Sequence, residues 1–156
     1  MLLTFEPHPV RVLAPEVAPP LLNTLNQKFE LLEECGVDAV VVEKFTRAFS
    51  RLSPEAFFRK YIVSALKARF VTVGYDFTFG AKRRGNIETL EFFCFQKQID
   101  VKIIQPFLAK DTLVSSTLVR KYIQAGKVKQ AARLLGRPYF MDGRIIKGKQ
   151  RGLSIP

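Results

Sequence analysis

Three segments of the chain carry residue types suited to binding phosphate and flat rings, and none carries a nucleophile with its base. The segment Gly74-Tyr75-Asp76-Phe77-Thr78-Phe79-Gly80-Ala81-Lys82-Arg83-Arg84-Gly85-Asn86 combines glycines, aromatics, one acid and three cations. Glycine lets backbone approach a ligand closely and aromatics offer faces for stacking, so these are parts for a planar, phosphorylated molecule. The blander reading is a solvated basic loop whose Phe77 and Phe79 plug the core. In Ser115-Ser116-Thr117-Leu118-Val119-Arg120, hydroxyls precede an arginine at the predicted start of a helix. Free N–H groups there, with hydroxyls and a guanidinium one turn on, make an anion site. Ser115 also serves simply as a cap. Thr4-Phe5-Glu6-Pro7-His8-Pro9 sets an aromatic and two rigid prolines at the end of an apolar stretch, where they can wall a flat pocket. A lone histidine such as His8 is more often a structural hydrogen-bonding group than a base.

Other chemistries are poorly served. His8 is the sole histidine, so neither a Ser–His–Asp arrangement with an oriented base nor a His/Cys metal site can be assembled. No metal-binding residues are assigned. Gly143-Arg144-Ile145-Ile146-Lys147-Gly148-Lys149-Gln150 nearly matches a phosphate-binding P-loop. Gln150 stands where Ser or Thr is required, however, and a strand-like stretch occupies the loop. No Gly-x-Gly-x-x-Gly is present.

The elements that must position these segments alternate in type. Leu2 to Phe5 reads as a short buried strand. From Pro7 to Pro20 the prolines argue against regular helix. Thr24 with Gln27 forms a capping box ahead of Leu25, Phe29, Leu32 and Cys35 at helical spacing, and Gly36 ends that helix. Asp38 to Glu43 reads as a strand buried on both faces. Ser53-Pro54-Glu55 starts a helix expected to run to Ala68. Phe70 to Gly74 is the next buried strand, then come the irregular loop, a helix over 88–98 and a strand over 100–105. Helices follow from Ser115 to Gln124 and from Val128 to Leu135. Repeated strand–helix alternation predicts an α/β fold, a parallel sheet with helices on both faces. Ligands of such sheets sit beyond the carboxyl ends of the strands. The change of pattern at Gly136 to Pro138 reads as a domain boundary.

At 156 residues the chain suits one domain, or one domain with part of another. Hydrophobic residues at 47% exclude a disordered tail. The 25 Lys and Arg against 14 Asp and Glu leave a net charge of +11, which favours an anionic partner without choosing among nucleic acid, nucleotides and membrane surfaces. Two cysteines, Cys35 and Cys94, fit a reducing compartment. No apolar run reaches the roughly 20 residues of a membrane span, and the start lacks a basic leader. A cytoplasmic location is expected.

Taken in order, Thr4-Phe5-Glu6-Pro7-His8-Pro9, Gly74-Tyr75-Asp76-Phe77-Thr78-Phe79-Gly80 with Arg84-Gly85, Ser115 to Arg120, and Leu134-Leu135-Gly136-Arg137-Pro138-Tyr139 resemble the bacterial bifunctional riboflavin kinase/FAD synthetase family. The resemblance implies a Rossmann-like nucleotidyltransferase domain over residues 1–137 that transfers AMP from ATP to FMN with magnesium. It also implies the first strand of a truncated β-barrel riboflavin kinase domain in residues 138–156. By motif it assigns Ser116, Thr117 and Arg120 to catalysis on the phosphates. Asp76, Ser115 and Arg84 go to nucleotide and phosphate binding, and Phe5, Pro7, Pro9 and Phe77 to the flavin ring. ATP, Mg²⁺ and FMN/FAD are the implied ligands. Small molecules, not membrane or nucleic acid, are the implied partners.

The family also carries a Gly-x-Phe-Asp-Gly-x-His-x-Gly-His segment after a first strand, upstream of anything here. That strand is central in the sheet, so residues 1–156 by themselves are expected to be less stable and to transfer AMP weakly or not at all. Arg151 to Pro156 resembles the start of the kinase signature, with Ser154 at a usual glycine. Three other readings stay open at this point. One is a related nucleotidyltransferase acting on another phosphorylated acceptor. The others are a basic nucleic-acid-binding domain built around Lys82-Arg83-Arg84, and a folded but inactive remnant.

Overall fold

A computed structural model describes residues 1–143 of the chain. The residues form two compact units, one of Met1–Val114 and one starting at Ser115. The first unit opens with strand β1, Leu2–Glu6, and helix α1, Pro9–Leu13, followed by a 3-10 turn at Pro15–Val17. Helix α2, Leu25–Glu34, leads to strand β2, Val40–Lys44. Helix α3, Pro54–Phe57, continues directly as wider π-type turns over Phe58–Ala65. Strand β3 (Phe70–Gly74), helix α4 (Ile87–Gln96) and strand β4 (Asp100–Ile104) follow. A small hairpin, β5 (Leu108–Ala109) and β6 (Thr112–Leu113), closes the unit. The second unit has helices α5, Ser116–Gln124, and α6, Val128–Leu135, packed on each other.

Local chemistry accounts for the helix boundaries. The Thr24 hydroxyl accepts from the Gln27 N–H at 3.2 Å while the Gln27 side chain accepts from the Thr24 N–H at 2.9 Å, the expected capping box. Ser53, Asn86 and Ser115 cap α3, α4 and α5 by the same logic. Gly36, Gly126 and Gly136 end α2, α5 and α6 with φ of 75°, 69° and 70°, where a side chain would strain the backbone.

The parallel α/β architecture holds, with corrections. β1 pairs in parallel with β2, and β3 in parallel with β4, but these are two separate two-stranded sheets among the described residues, not one continuous sheet. Helix does form between Pro7 and Pro20: Pro9 occupies the first turn of α1, where its missing N–H has no intrahelical partner to lose. The expectations that β2 is buried on both faces and that β3 is a buried strand fail, because Val42 is 38% and Phe70 55% exposed. The helical turns from Pro54 end at Ala65, since Lys67 adopts a left-handed φ of 47°. The β5–β6 hairpin was not foreseen: its strands have two residues each, too short for any periodicity. The P-loop-like stretch beyond Gly143, and the expected first kinase strand within it, lie outside the described residues.

Helices pack on both faces of the strands. α3 with its π-type turns, and α4, contribute Phe57, Phe58, Tyr61, Ile62, Leu90 and Cys94 to one buried cluster, against which Leu3 and Phe5 of β1, Val71 and Val73 of β3 and Val101 of β4 pack. α2 reaches β1 from the other face, where Lys28 Nζ donates to the Thr4 hydroxyl at 3.4 Å.

Cys94 is fully buried in that cluster, and burial pushes its thiol up to about 11 from 9.0. In alkali the unfolded chain releases this proton first. Stability from this group is whole below pH 9.0 and is lost as pH rises toward about 11. Urea midpoints measured across that window are expected to fall for the native chain and to fall less for Cys94→Ala.

Candidate functional site at the carboxyl ends of β1 and β3

The loop after β3 is held rigidly by contacts that only its own sequence permits. Phe79 and Gly85 pair as an antiparallel bridge, each N–H donating to the other's carbonyl at 3.0 Å. A Cβ on Gly85 would lie 2.8 Å from the Phe79 ring, so glycine is what lets the ring cover the backbone. The Ala81 N–H donates to the Leu52 carbonyl at 2.7 Å and ties the loop to the start of α3. Lys82 and Arg83 take left-handed φ of 54° and 56°, which costs on the order of 1 kcal/mol each. The Arg83 Nε donates to the Thr78 hydroxyl at 2.8 Å, so one of the three cations braces the loop.

At the carboxyl end of β3 the loop and the first turn of α4 enclose an open cavity of about 210 Å³, bordered by Asp76, Phe77, Asn86 and Glu88 among others. Asp76 is exposed at its rim, and Asn86 is fixed by accepting from the Thr89 N–H and hydroxyl at 2.9 and 2.7 Å. The start of α4 supplies partial positive charge beside the Asp76 and Glu88 carboxylates.

Phe5 and Phe77, both expected at a flavin ring, belong to one chain of aromatic contacts. Phe5 meets Phe49 at 5.2 Å, Phe49 meets Phe57 at 6.2 Å, Phe57 meets Phe79 at 5.7 Å, and Phe79 stacks on Phe77 at 5.5 Å. Phe79 is 6% exposed, so it does plug the core, while Phe5 and Phe77 are only half-buried. Tyr61 meets Phe49 and Phe57, and its hydroxyl donates to Glu43 Oε1 at 2.8 Å. Burial, then this bond, raises the Tyr61 pKa above its ordinary 10.0. Pro7 lies two residues after Phe5, across a cis Glu6–Pro7 bond, and Pro9 starts α1. His8 caps α1, its Nδ1 accepting from the Val10 N–H at 3.3 Å.

Phe5, Pro7, Pro9, Asp76, Phe77 and Arg84 all lie in the first unit, the first three from the end of β1 to the start of α1 and the others on the loop leaving β3. Arg84 is exposed and is not among the residues bordering the cavity. Ser115, Ser116, Thr117 and Arg120 form the start of α5 in the second unit. The Ser115 hydroxyl accepts from the Leu118 N–H at 3.3 Å, and Ser116 and Thr117 stand exposed in the first turn. Sequence reasoning did not single out Asn86, Glu88, Phe49, Phe57 or Tyr61. The Asn86-x-x-Thr89 cap was the available signal for the cavity's far wall. The aromatic wall has none, since Phe49 and Phe57 come from separate elements.

Comparisons with known proteins place the chain in a family. The FAD synthetase family model matches residues 1–118. The bifunctional riboflavin kinase/FMN adenylyltransferase of Escherichia coli is 35% identical over 155 residues, covering 99% of this chain and 50% of that protein. Its namesake from Listeria monocytogenes is 37% identical over 154 residues, covering 98% of this chain and 48% of that protein. The chain thus spans about half the length of these curated relatives. A crystal structure titled as a macrolide-efflux protein from Streptococcus pneumoniae superposes with a TM-score of 0.82 at 27% identity, covering 98% of this chain and 50% of that one. With the family model running from Met1 through the first turn of α5, the chain belongs to the FAD synthetase family.

Proposed function

We propose that this chain is the adenylyltransferase part of an enzyme that makes FAD. AMP passes from ATP to FMN, and pyrophosphate leaves. The observation that supports the reading best is the extent of the family match, which takes in the aromatic-proline stretch, the β3 loop and the start of α5. In the same reading residues 1–137 form the transferase domain and residues 138–156 begin a riboflavin kinase domain. The parent enzyme then also phosphorylates riboflavin to FMN.

The step needs no covalent enzyme intermediate. An FMN phosphate oxygen bonds to the α-phosphorus of ATP, and the bond to the bridging oxygen breaks, its electrons leaving on pyrophosphate. Positioning and charge stabilisation do most of the work in such a transfer. The first N–H groups of α5 and the hydroxyls of Ser116 and Thr117 donate to phosphate oxygens, with Ser115 holding the helix start. Arg120 offsets the charge growing on pyrophosphate. Asp76 and Arg84 act at the phosphate side of the nucleotide and flavin, and Phe5, Pro7, Pro9 and Phe77 border the isoalloxazine ring.

Magnesium fits the residues at hand. Among the described residues no group of three or more His, Cys, Asp and Glu is placed to hold a metal ion. Mg²⁺, though, takes one or two carboxylates with substrate phosphates and water, and Asp76 and Glu88 both border the β3 cavity. Bound there, it would draw charge from phosphate oxygens. No helix among the described residues is long and apolar enough to cross a membrane, and a cytoplasmic location belongs to this reading.

Calorimetric titration with ATP and Mg²⁺ tests the assignment. Arg120→Ala is expected to weaken ATP binding by about tenfold or more, the size of one charge-assisted hydrogen bond. Unchanged affinity would remove Arg120 from the site. Binding to random oligonucleotides with steep salt dependence, indifferent to FMN and ATP, would favour the nucleic-acid reading instead.

A further inference from the structure

Two polar side chains stand within the aromatic wall, and they bond to each other. In the β1–β2 ladder Glu43 is directly opposite Phe5, so the two side chains leave the same face. Phe45, two residues after Glu43, shares that face and meets the Phe5 ring at 5.6 Å. The Glu43 carboxylate reaches the turns after α3, where its Oε1 accepts from the Tyr61 hydroxyl at 2.8 Å. Three further contacts hold the Tyr61 ring. It stacks on Phe57 at 5.3 Å and 26°, meets Phe49 at 5.4 Å and 64°, and lies under Lys60 Nζ at 5.1 Å. Phe49 in turn meets Phe5 at 5.2 Å and Phe45 at 5.3 Å.

The contacts therefore close on themselves, from Phe5 across the ladder to Glu43, through the hydroxyl to Tyr61, and through Phe49 back to Phe5. Packing by itself does not call for the polar pair. Tyr61 is 5% exposed, and a phenylalanine there would fill the same space without a hydroxyl to satisfy. What a hydrogen bond adds to apolar contact is direction, since it holds for one placement of the ring and fails for others.

We infer that Glu43 and Tyr61 are positioning residues for the flavin, their hydrogen bond holding Phe49 against Phe5 and so setting the wall on which the isoalloxazine ring packs. The inference rests on the proposed role of Phe5 at that ring. Neither residue touches the ligand. Without the bond Phe49 is free to tilt, Phe5 loses its support, and flavin affinity falls. ATP, held in the same reading by phosphate contacts from other segments, is bound as before.

The test is calorimetric titration of the native chain and its variants with FMN and, separately, with ATP and Mg²⁺. Tyr61→Phe removes the hydroxyl and keeps the ring, Glu43→Val removes the acceptor, and Glu43→Gln keeps an acceptor oxygen. Tyr61→Phe and Glu43→Val are each expected to weaken FMN binding by about tenfold, with ATP affinity unchanged. The double variant should bind no more weakly than either single one, and Glu43→Gln should stay within about threefold of the native chain. Urea unfolding checks that each variant is folded under the titration conditions. A native chain that binds no FMN would remove the flavin reading and this inference with it. Native FMN binding with Tyr61→Phe unimpaired, equal losses for FMN and ATP, additive losses in the double variant, or no rescue by Glu43→Gln would overturn this inference alone.

Discussion

Gly80→Ala is expected to destabilise the first unit by about 3 kcal/mol or more and to abolish ligand binding by the β3 loop. Gly80 has a φ of 71°, and a Cβ there would sit 2.6 Å from the Pro54 nitrogen and 2.8 Å from its Cα and Cδ. Those atoms are backbone and a proline ring, so they cannot turn aside. Pro54 is the first residue of α3, whose start is fixed by the Ser53 hydroxyl accepting from the Ala56 N–H. Either the helix start or the loop must move, and the loop carries Asp76, Phe77 and Arg84. Gly36→Ala is the reference: its φ is 75°, yet nothing lies within 4 Å of the added carbon. It should cost only the left-handed strain, about 1 kcal/mol. Urea unfolding of both variants measures the difference. Equal losses would mean that the contact with Pro54 does not position the loop.

Leu90→Ala is expected to lower the unfolding free energy by about 2–5 kcal/mol. Leu90 is 2% exposed, at the centre of the cluster formed by α4 and the turns after α3, and truncation leaves a cavity there. Domains of this size have only about 5–15 kcal/mol to lose. The first turn of α4 borders the site through Asn86 and Glu88, so loosening the helix also loosens that wall. Phe92→Ala on the same helix should change stability by no more than about 0.5 kcal/mol, since Phe92 is 58% exposed. If denaturant midpoints showed the two variants alike, the assignment of the core to this face of α4 would be wrong.

Residues whose effect is local were legible from sequence. Thr24 and Gln27 announce their helix because both halves of the capping box lie within one turn, and Ser53-Pro54 and Ser115 do the same. The glycines at 36, 126 and 136 stop helices for a reason that resides in their own backbone. Legibility fails where the deciding partner is distant in sequence. Val40-Val41-Val42 reads as part of a strand buried on both faces, and Phe70-Val71-Thr72-Val73 as a buried strand, because apolar residue type was taken for burial. Whether a second face is covered depends on elements elsewhere. Strand–helix alternation alone does not show the break between β1 and β3, because it counts strands without saying which of them touch; the expectation of an absent central strand comes only from the resemblance to the family. In the site, the motif loops were found from residue type and spacing. The wall made by Phe49, Phe57 and Tyr61 was not, since its rings meet only after three elements have packed. Glu43 belongs to that wall only through the Tyr61 hydroxyl, 18 residues away.

The most direct test of a flavin- and nucleotide-binding role is a titration of FMN fluorescence with the folded chain, with and without ATP and Mg²⁺. The account predicts saturable quenching that ATP and Mg²⁺ strengthen and that Asp76→Ala or Phe5→Ala weakens by about tenfold, the loss of one good contact. A folded chain that leaves FMN fluorescence unchanged, or an Asp76→Ala variant that quenches as well as the native chain, would contradict it.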